Sequence, residues 1–222
     1  LEDAGIQVYV IPGNHDVNNP HAMSYNGDTV SPVESVTPAE FAQIYADYGY
    51  TQAIDRDPAS LSYVAEPFPG LWLIAMDSCK YNDNLTLGES VVSGGFSEQT
   101  LSWIVSKLAQ AKSRNKRVIG TMHHGVLEHF TGQSVSDLSK EYVVDNWQAV
   151  SKTFADNGMT YVFTGHYHAQ DIVYKAWENN SILTDIETGS LVTSPCPYRT
   201  VTLNADNTAS ITSRNITAIE YD

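Results

Sequence analysis

The chain has 222 residues, of which 42% are hydrophobic, so it is long enough to form an α/β domain with a substantial core. Its 12 Lys and Arg residues stand against 26 Asp and Glu residues, which gives a formal net charge of −14. A chain so acidic repels nucleic-acid backbones, so we expect no general nucleic-acid binding, and no apolar run reaches the ~18 residues of a membrane span.

The first quarter of the chain predicts a strand, a loop and a helix within one domain that covers residues 1–222. The run of β-branched residues at 6–11 predicts a buried strand, and a polar loop follows over 17–36. Thr37 is the predicted N-cap of a helix, because a Glu three residues later completes a capping box. Gly49 is the expected end of this helix.

The rest of the chain continues the alternation of strands and helices and ends in a β-rich tail. Apolar runs bounded by turn residues predict the strands, and apolar residues three and four apart predict the helices. Strands are predicted at 61–67, 70–78, 116–122 and 159–164, helices from 97 and near 146–156, and only strands and turns from about 181.

Three of the predicted strands run into loops that contain glycine and histidine, and five of the seven histidines of the chain lie there. In open α/β sheets, ligands bind at the carboxyl ends of the strands, so these loops can meet at one edge. Imidazole, amide and carboxylate groups together suit divalent ions such as Zn, Mn or Fe. The loops are Gly13-Asn14-His15-Asp16, Met122-His123-His124-Gly125 and Gly165-His166-Tyr167-His168.

Each loop also has an ordinary interpretation. A single histidine at the end of a strand is usually a solvated loop residue, and Gly13-Asn14-His15-Asp16 alone can be a turn, since Gly, Asn and Asp favour turns. The combination of three such loops, each after an apolar strand, favours a metal site over three unrelated turns.

These motifs resemble those of the calcineurin-like metallophosphoesterase family, which carries a GNH[DE] motif, a strand that ends in histidine, and a GHxH motif. The stretches at 95–112 and 187–203 are similar to the same family. The resemblance implies a four-layer α-β-β-α sandwich of two mixed sheets. It also implies two divalent metal ions (Mn, Fe or Zn) as cofactors in the complete protein.

The resemblance also implies a role for each histidine-loop residue. Asn14, His123 and His166 would bind one metal, and His168 would bind the other. His15 would be catalytic and would give a proton or hydrogen bond to the leaving group. The implied reaction is in-line attack by a metal-bound hydroxide on a phosphodiester or phosphomonoester, with a phosphoester small molecule as the substrate.

Two further residues are candidate substrate contacts. His124 can touch the substrate or support the ligands from behind, and Arg199 can contact phosphate or form a surface ion pair. The alternative function is that of a non-catalytic scaffold or binding protein with the same fold. The oligomeric state stays open, and so does the pairing of Cys79 with Cys196. Sparse Lys favours an exported protein, with a cytoplasmic one as the alternative.

The chain departs from the family pattern in two places. Gly125 stands where Pro is frequent, and two earlier motifs, an Asp-x-His and a Gly-Asp strand end, are absent. These motifs supply the remaining metal ligands in the family. We therefore expect N-terminal βα units to be missing upstream of Leu1, and this chain alone to be inactive.

Overall fold

A seven-stranded mixed sheet is the centre of this computed structural model, which describes residues 4–218. Helices cover its faces, so the predicted mixed α/β class is confirmed. In chain order the elements are β1 (Met23–Asn26), β2 (Thr29–Pro32), α1 (Pro38–Ile44), β3 (Asp55–Arg56), β4 (Tyr63–Phe68), β5 (Leu71–Met76), α2 (Asn84–Leu87), α3 (Glu98–Ser113), β6 (Arg117–Met122), α4 (Trp147–Asp156), β7 (Tyr161–Thr164), β8 (Asp171–Ala176), β9 (Ile182–Glu187), β10 (Pro197–Leu203) and β11 (Ala209–Asn215).

The sheet has the strand order β3-β4-β5-β6-β7-β9-β8. Its four central strands, β5, β6, β7 and β9, pair in parallel, and the outer strands pair antiparallel. Met76 lies opposite Met122, and Thr164 lies opposite Glu187, so the carboxyl ends of the parallel strands lie at one edge. The remaining strands of the described chain form two separate two-stranded sheets, β1–β2 and β10–β11.

The two faces of the sheet carry separate cores, because side chains of a strand alternate between its faces. On β5, Trp72 and Ile74 pack with α3 and α4, whereas Ala75 packs on the opposite face beside α1. The first core contains Ile104 from α3 and Phe154 from α4, both fully buried. Two cores on one sheet give the layered arrangement that holds the strand ends in fixed positions.

The helix signals of the sequence are confirmed at their N-termini. The Thr37 hydroxyl oxygen accepts a hydrogen bond from the Glu40 N–H, and the Glu40 carboxylate accepts one from the Thr37 N–H, which forms the predicted capping box. The helix was expected to end at Gly49. Instead α1 ends at Ile44, and a π-helical turn over Ala46–Tyr50 follows it. Gly49 has a φ of +119°, and a Cβ there would lie 2.3 Å from the Tyr63 hydroxyl oxygen. Within residues 4–218, no helix has the length and apolar character needed to cross a membrane.

The prediction of a buried strand at 6–11 is wrong for the described chain. No strand of residues 4–218 pairs with it, and Ile6 is 52% exposed. Side chains of Tyr9 and Val10 pack on the α1 face instead, and Ile11 packs against both cores. The Val10 N–H donates to the Tyr48 carbonyl. Apolar β-branched residues favour extended backbone, but a strand also requires a partner to supply ladder hydrogen bonds.

The predicted polar loop at 17–36 contains the hairpin of β1 and β2. All eight of its strand residues are exposed, so it has no buried face to produce an alternating apolar pattern. The strand β8 was also missed. Its half-buried residues alternate with exposed ones, and the pattern is weakened by Asp171 and Lys175.

A buried carboxylate ties the ends of three parallel strands together. Asp185 in β9 is fully buried, and its Oδ2 accepts the N–H groups of Val126 at 2.7 Å and Leu127 at 3.0 Å. Its Oδ1 accepts the hydroxyl of Thr164, the last residue of β7. The loop after β6 and the end of β7 are therefore anchored to one side chain.

The charge of this carboxylate is balanced by His129. Its Nε2 lies 3.5 Å from both Asp185 Oδ2 and Glu187 Oε2, and its Nδ1 lies 3.0 Å from Asp171 Oδ2. Burial alone would lower the pKa of His129, but the neighbouring Asp185 carboxylate, the hydrogen bond to Asp171 and the charge of Glu187 raise it to about 9. Burial raises the pKa of Glu187 to about 7, against the opposing charge of His129. A charged His129 thus neutralises part of a buried acidic cluster.

We predict that Asp185→Ala destabilises the fold by more than about 2 kcal/mol, because it leaves two buried N–H groups without an acceptor. Asp185→Asn should cost less, since its amide oxygen can still accept both. The free energy of unfolding from urea titration measures the effect. Asp137→Ala is the control, because this carboxylate is 91% exposed and should change stability little. A cost for Asp185→Ala no larger than the control would contradict the anchoring role.

We also predict that His129 makes stability depend on pH. Because its pKa is raised from 6.5 to about 9, its contribution is complete below about pH 6.5 and is lost as the pH rises through 9. The stability difference between the wild type and His129→Gln should therefore shrink across this window, as followed by thermal unfolding. A difference that is constant or grows with pH would show that His129 is not a charged partner of the carboxylates.

Candidate metal centre

The three histidine loops meet in a cavity of about 450 Å³ at the edge formed by the parallel strands. The loop after β6 contributes His123, the loop after β7 contributes His166 and His168, and the stretch 13–16 forms another wall. The sequence placed all three loops after strands. The first one reaches the cavity without a paired strand before it, because side-chain packing on the α1 face positions 6–11.

Asn14 and His123 approach each other most closely. Asn14 is 4% exposed, and its Oδ1 lies 2.8 Å from His123 Nε2. Two atoms that bind one ion at about 2.0–2.2 Å lie about 3 Å apart, so this separation suits two ligands of one metal. The Asn14 Nδ2 is buried and has no hydrogen-bond partner among the described residues. A buried polar group without a protein partner is typical of a site that binds a water molecule, an ion or another ligand.

His166 and His168 occupy an unusual backbone. Their φ angles are +68° and +58°, in the left-handed region that non-glycine residues rarely adopt. The Gly165 N–H donates to the His123 carbonyl at 3.0 Å, which joins the two histidine loops directly. His166 is half-buried with its ring centroid 4.5 Å from that of His123, whereas His168 is exposed at the cavity wall.

His124 turns away from the cavity. It is fully buried, its Nδ1 lies 2.8 Å from Ser78 Oγ, and its Nε2 lies 3.0 Å from the Val92 carbonyl oxygen. Because a carbonyl only accepts, Nε2 carries the hydrogen and Nδ1 accepts the Ser78 hydroxyl. Both nitrogens are engaged, so this geometry favours support of the site from behind over contact with the substrate.

Val92 is a site residue that the sequence did not indicate. Its carbonyl oxygen also lies 3.0 Å from His166 Nε2, so one backbone atom accepts hydrogen bonds from two histidine rings. The approach depends on Gly94, where a Cβ would lie 2.4 Å from the His124 ring. The Gly94-Gly95 pair was the available signal, since adjacent glycines indicate a close backbone approach.

The rings of the cluster are held neutral. Burial, followed by the charges of His166, His168 and His15, lowers the pKa of His123 to about 3. Burial is also the main cause that lowers the pKa of His166 to about 4, and it lowers that of His124 well below the usual value. A neutral imidazole keeps the lone pair that a metal requires.

Among the remaining predicted residues, His15 is exposed at the cavity, and its carbonyl accepts the Asn19 side-chain amide at 3.0 Å. Asp16 Oδ2 accepts the Gly13 N–H at 2.7 Å, so this carboxylate closes the turn. Arg199 does not line the cavity. Its Nη2 donates to the Asp171 carbonyl at 3.2 Å, beside the cluster that contains His129. Contact between Arg199 and substrate stays a prediction.

The two cysteines, whose pairing the sequence left open, are both free. Cys79 Sγ lies 3.3 Å from the Pro12 carbonyl oxygen, and burial raises the pKa of its thiol. Cys196 is half-buried at the start of the β10 hairpin. Neither thiol belongs to the set that lines the histidine cavity.

The donor set fits a divalent ion. Nitrogens of His123, His124 and His166 lie within 4.8 Å of one another, and Asn14 adds an amide oxygen beside His123. Ser78 and Val92 engage both ring nitrogens of His124, whereas His123 and His166 each engage only Nε2 among the described residues, so the groups that can turn to a metal are Asn14, His123 and His166. Two imidazoles and a neutral oxygen suit Zn, Mn or Fe.

Comparison with known proteins agrees with this arrangement. The family model described as calcineurin-like phosphoesterase matches residues 1–170. Among solved structures, a dimetal phosphatase from Danio rerio matches with a TM-score of 0.51 and 18% sequence identity. The match covers 70% of this chain and 58% of that chain, and at this identity the likeness shows the fold alone. No curated protein sequence matches the chain.

The family match extends over far more than half of the chain and includes all three histidine loops. The fold agrees with it, since the large mixed sheet and its helices match the architecture of a dimetal phosphatase. The chain therefore belongs to the calcineurin-like phosphoesterase family.

Proposed function

We propose that the histidine cavity hydrolyses phosphoesters with the help of divalent metal ions. The observation that carries the proposal is the convergence of Asn14, His123 and His166 at the carboxyl ends of parallel strands. Asn14 Oδ1 lies 2.8 Å from His123 Nε2, and the His123 and His166 rings are 4.5 Å apart. Family membership supports the same chemistry.

We assign Asn14, His123 and His166 to one ion and His168 to a second. When bound, such ions offset the charge of a phosphoryl group and lower the pKa of water toward neutrality. Without such ions, the cavity would have to bind an anion with no positively charged Lys or Arg side chain, because none lines it among the described residues. This agrees with a net charge of −14, which would repel a phosphoester from a site without metal.

His15 is the proposed proton donor. It lies next to Asn14 in the chain, so its ring is carried by the same turn that presents the amide oxygen. The hydrogen bonds between Asp16 and Gly13 and between Asn19 and His15 hold the backbone of this turn. An exposed imidazole on a fixed turn can give a proton to the departing oxygen at the moment when the ester bond breaks.

His124 has a supporting role in this proposal. Its ring fills the space behind His123 and His166, with centroids 5.0 Å and 4.6 Å away. Ser78 and Val92 hold it from two sides, which fixes the wall against which the ligand rings pack. Residues that orient metal ligands commonly change metal affinity when they are replaced.

We predict that the protein expressed from its complete reading frame binds about two divalent ions per chain, as counted by elemental analysis after dialysis against Mn²⁺ or Zn²⁺. His166→Ala should weaken metal binding at least about tenfold, because it removes an imidazole donor. His21→Ala is the control, since this exposed histidine lies outside the cavity. A wild type that binds no metal would contradict the proposal and favour a non-catalytic scaffold.

We predict that His15→Ala lowers kcat for a phosphodiester by about 10²- to 10⁴-fold, the usual contribution of a general acid, and leaves the metal content unchanged. Steady-state kinetics and elemental analysis of the same samples test both parts, with His21→Ala as the matched control. Loss of metal in His15→Ala would show that His15 is a ligand, and an unchanged kcat would remove it from the reaction.

A further inference from the structure

The loop over residues 165–170 joins β7 to β8 and holds its two histidines differently. The His166 ring reaches the Val92 carbonyl oxygen through Nε2 at 3.0 Å, whereas the exposed His168 ring has no such anchor among the described residues. His168 also has a φ of +58°, a backbone conformation that a non-glycine residue keeps only where its surroundings hold it. The direction of the His168 ring therefore depends on what fixes the backbone beside it.

The end of β9 supplies one contact with this backbone. Glu187 is the last residue of β9 and is 1% exposed, and its Oε1 accepts the Ala169 N–H at 3.4 Å. Its other oxygen, Oε2, lies 3.5 Å from the Nε2 of the buried His129 ring. The carboxylate is thus fixed on one side by His129, and on the other side it lies against the peptide that directly follows His168.

Gln170 makes a second contact between the same two parts of the chain. Its Oε1 accepts the Gly189 N–H at 2.9 Å, and its Nε2 donates to Ser213 Oγ in β11 at 3.0 Å. The backbones also approach closely, because a Cβ at Gly189 would lie 3.2 Å from the His168 carbonyl oxygen. The loop and the chain at the end of β9 are therefore joined by one hydrogen bond in each direction.

We propose that Glu187 and Gln170 form a clamp that positions His168 at the histidine cavity, and that tight binding of a second metal ion depends on this clamp. The inference rests on the proposed function, which assigns His168 to a second ion. Neither clamp residue lines the cavity, so both act through the backbone and neither contacts the ion or the substrate. The clamp requires an acceptor oxygen on each side chain, since N–H groups donate both bonds.

The test measures how many Mn²⁺ ions the protein from its complete reading frame binds, and how tightly, by isothermal titration calorimetry and elemental analysis. Glu187→Ala should weaken binding of the second ion about 10- to 100-fold, the usual effect of losing a group that orients a metal ligand, and should leave the first ion unchanged. Gln170→Ala should weaken the same ion about 2- to 10-fold, which corresponds to one neutral hydrogen bond. An unchanged second ion in both variants would overturn the inference.

Two further variants separate positioning from stability. Glu187→Gln should retain most of the affinity for the second ion, because its amide oxygen can accept the Ala169 N–H. Asp57→Ala is the matched control, since this carboxylate is 5% exposed, accepts the Ala59 N–H at 3.1 Å and lies outside the cavity. It should lower the free energy of unfolding and leave both ions bound. Equal loss of the second ion in Asp57→Ala and Glu187→Ala would overturn the inference, because metal binding would then follow overall stability.

His168→Ala provides the reference state that holds only the first ion. In this background Glu187→Ala should cause no further loss of metal, because the clamp has no ligand left to position. Loss of the first ion in the double variant would overturn the inference, since the carboxylate would then support the whole site. A wild type that binds no ion contradicts the proposed function together with the clamp. A wild type that binds one ion overturns the clamp alone, because His168 then holds none.

Discussion

Parallel pairing of β5, β6, β7 and β9 is the constraint on which the candidate site depends. Parallel strands must end at the same edge, so whatever follows them in sequence is brought together without a dedicated contact. Ser78 after β5, His123 after β6 and His166 after β7 meet for this reason. The buried carboxylate of Asp185 then fixes the loops at atomic distance, because it accepts N–H groups after β6 and the hydroxyl that ends β7.

Two neighbouring clusters use burial in opposite ways. In the cavity, burial and mutual repulsion keep His123 and His166 neutral, which preserves lone pairs for a metal. Behind it, carboxylates outweigh the burial of His129 and raise its pKa to about 9, which makes it a resident cation. Histidine is therefore a neutral candidate ligand in one place and a counter-ion in the other, according to whether carboxylates surround it.

Local signals in the sequence predicted much of the fold. The capping box at Thr37 and the apolar strands that precede His123 and His166 are confirmed because each depends on residues close in the chain. The run at 6–11 was misjudged because strand formation needs a partner from elsewhere. The anchoring by Asp185 and the contact of Val92 with two rings could not be predicted, since they join residues 59 and 74 positions apart.

The contact made by Val92 has a consequence for how the site can vary. The hydrogen bonds to His124 and His166 come from a main-chain oxygen, so the side chain at position 92 carries none of that role. Substitution there leaves the acceptor in place, whereas any side chain at Gly94 would push the segment off the His124 ring. The path of the backbone at 92–94 therefore decides which substitutions this segment tolerates. Its sensitive position is Gly94, which is not one of the proposed metal ligands.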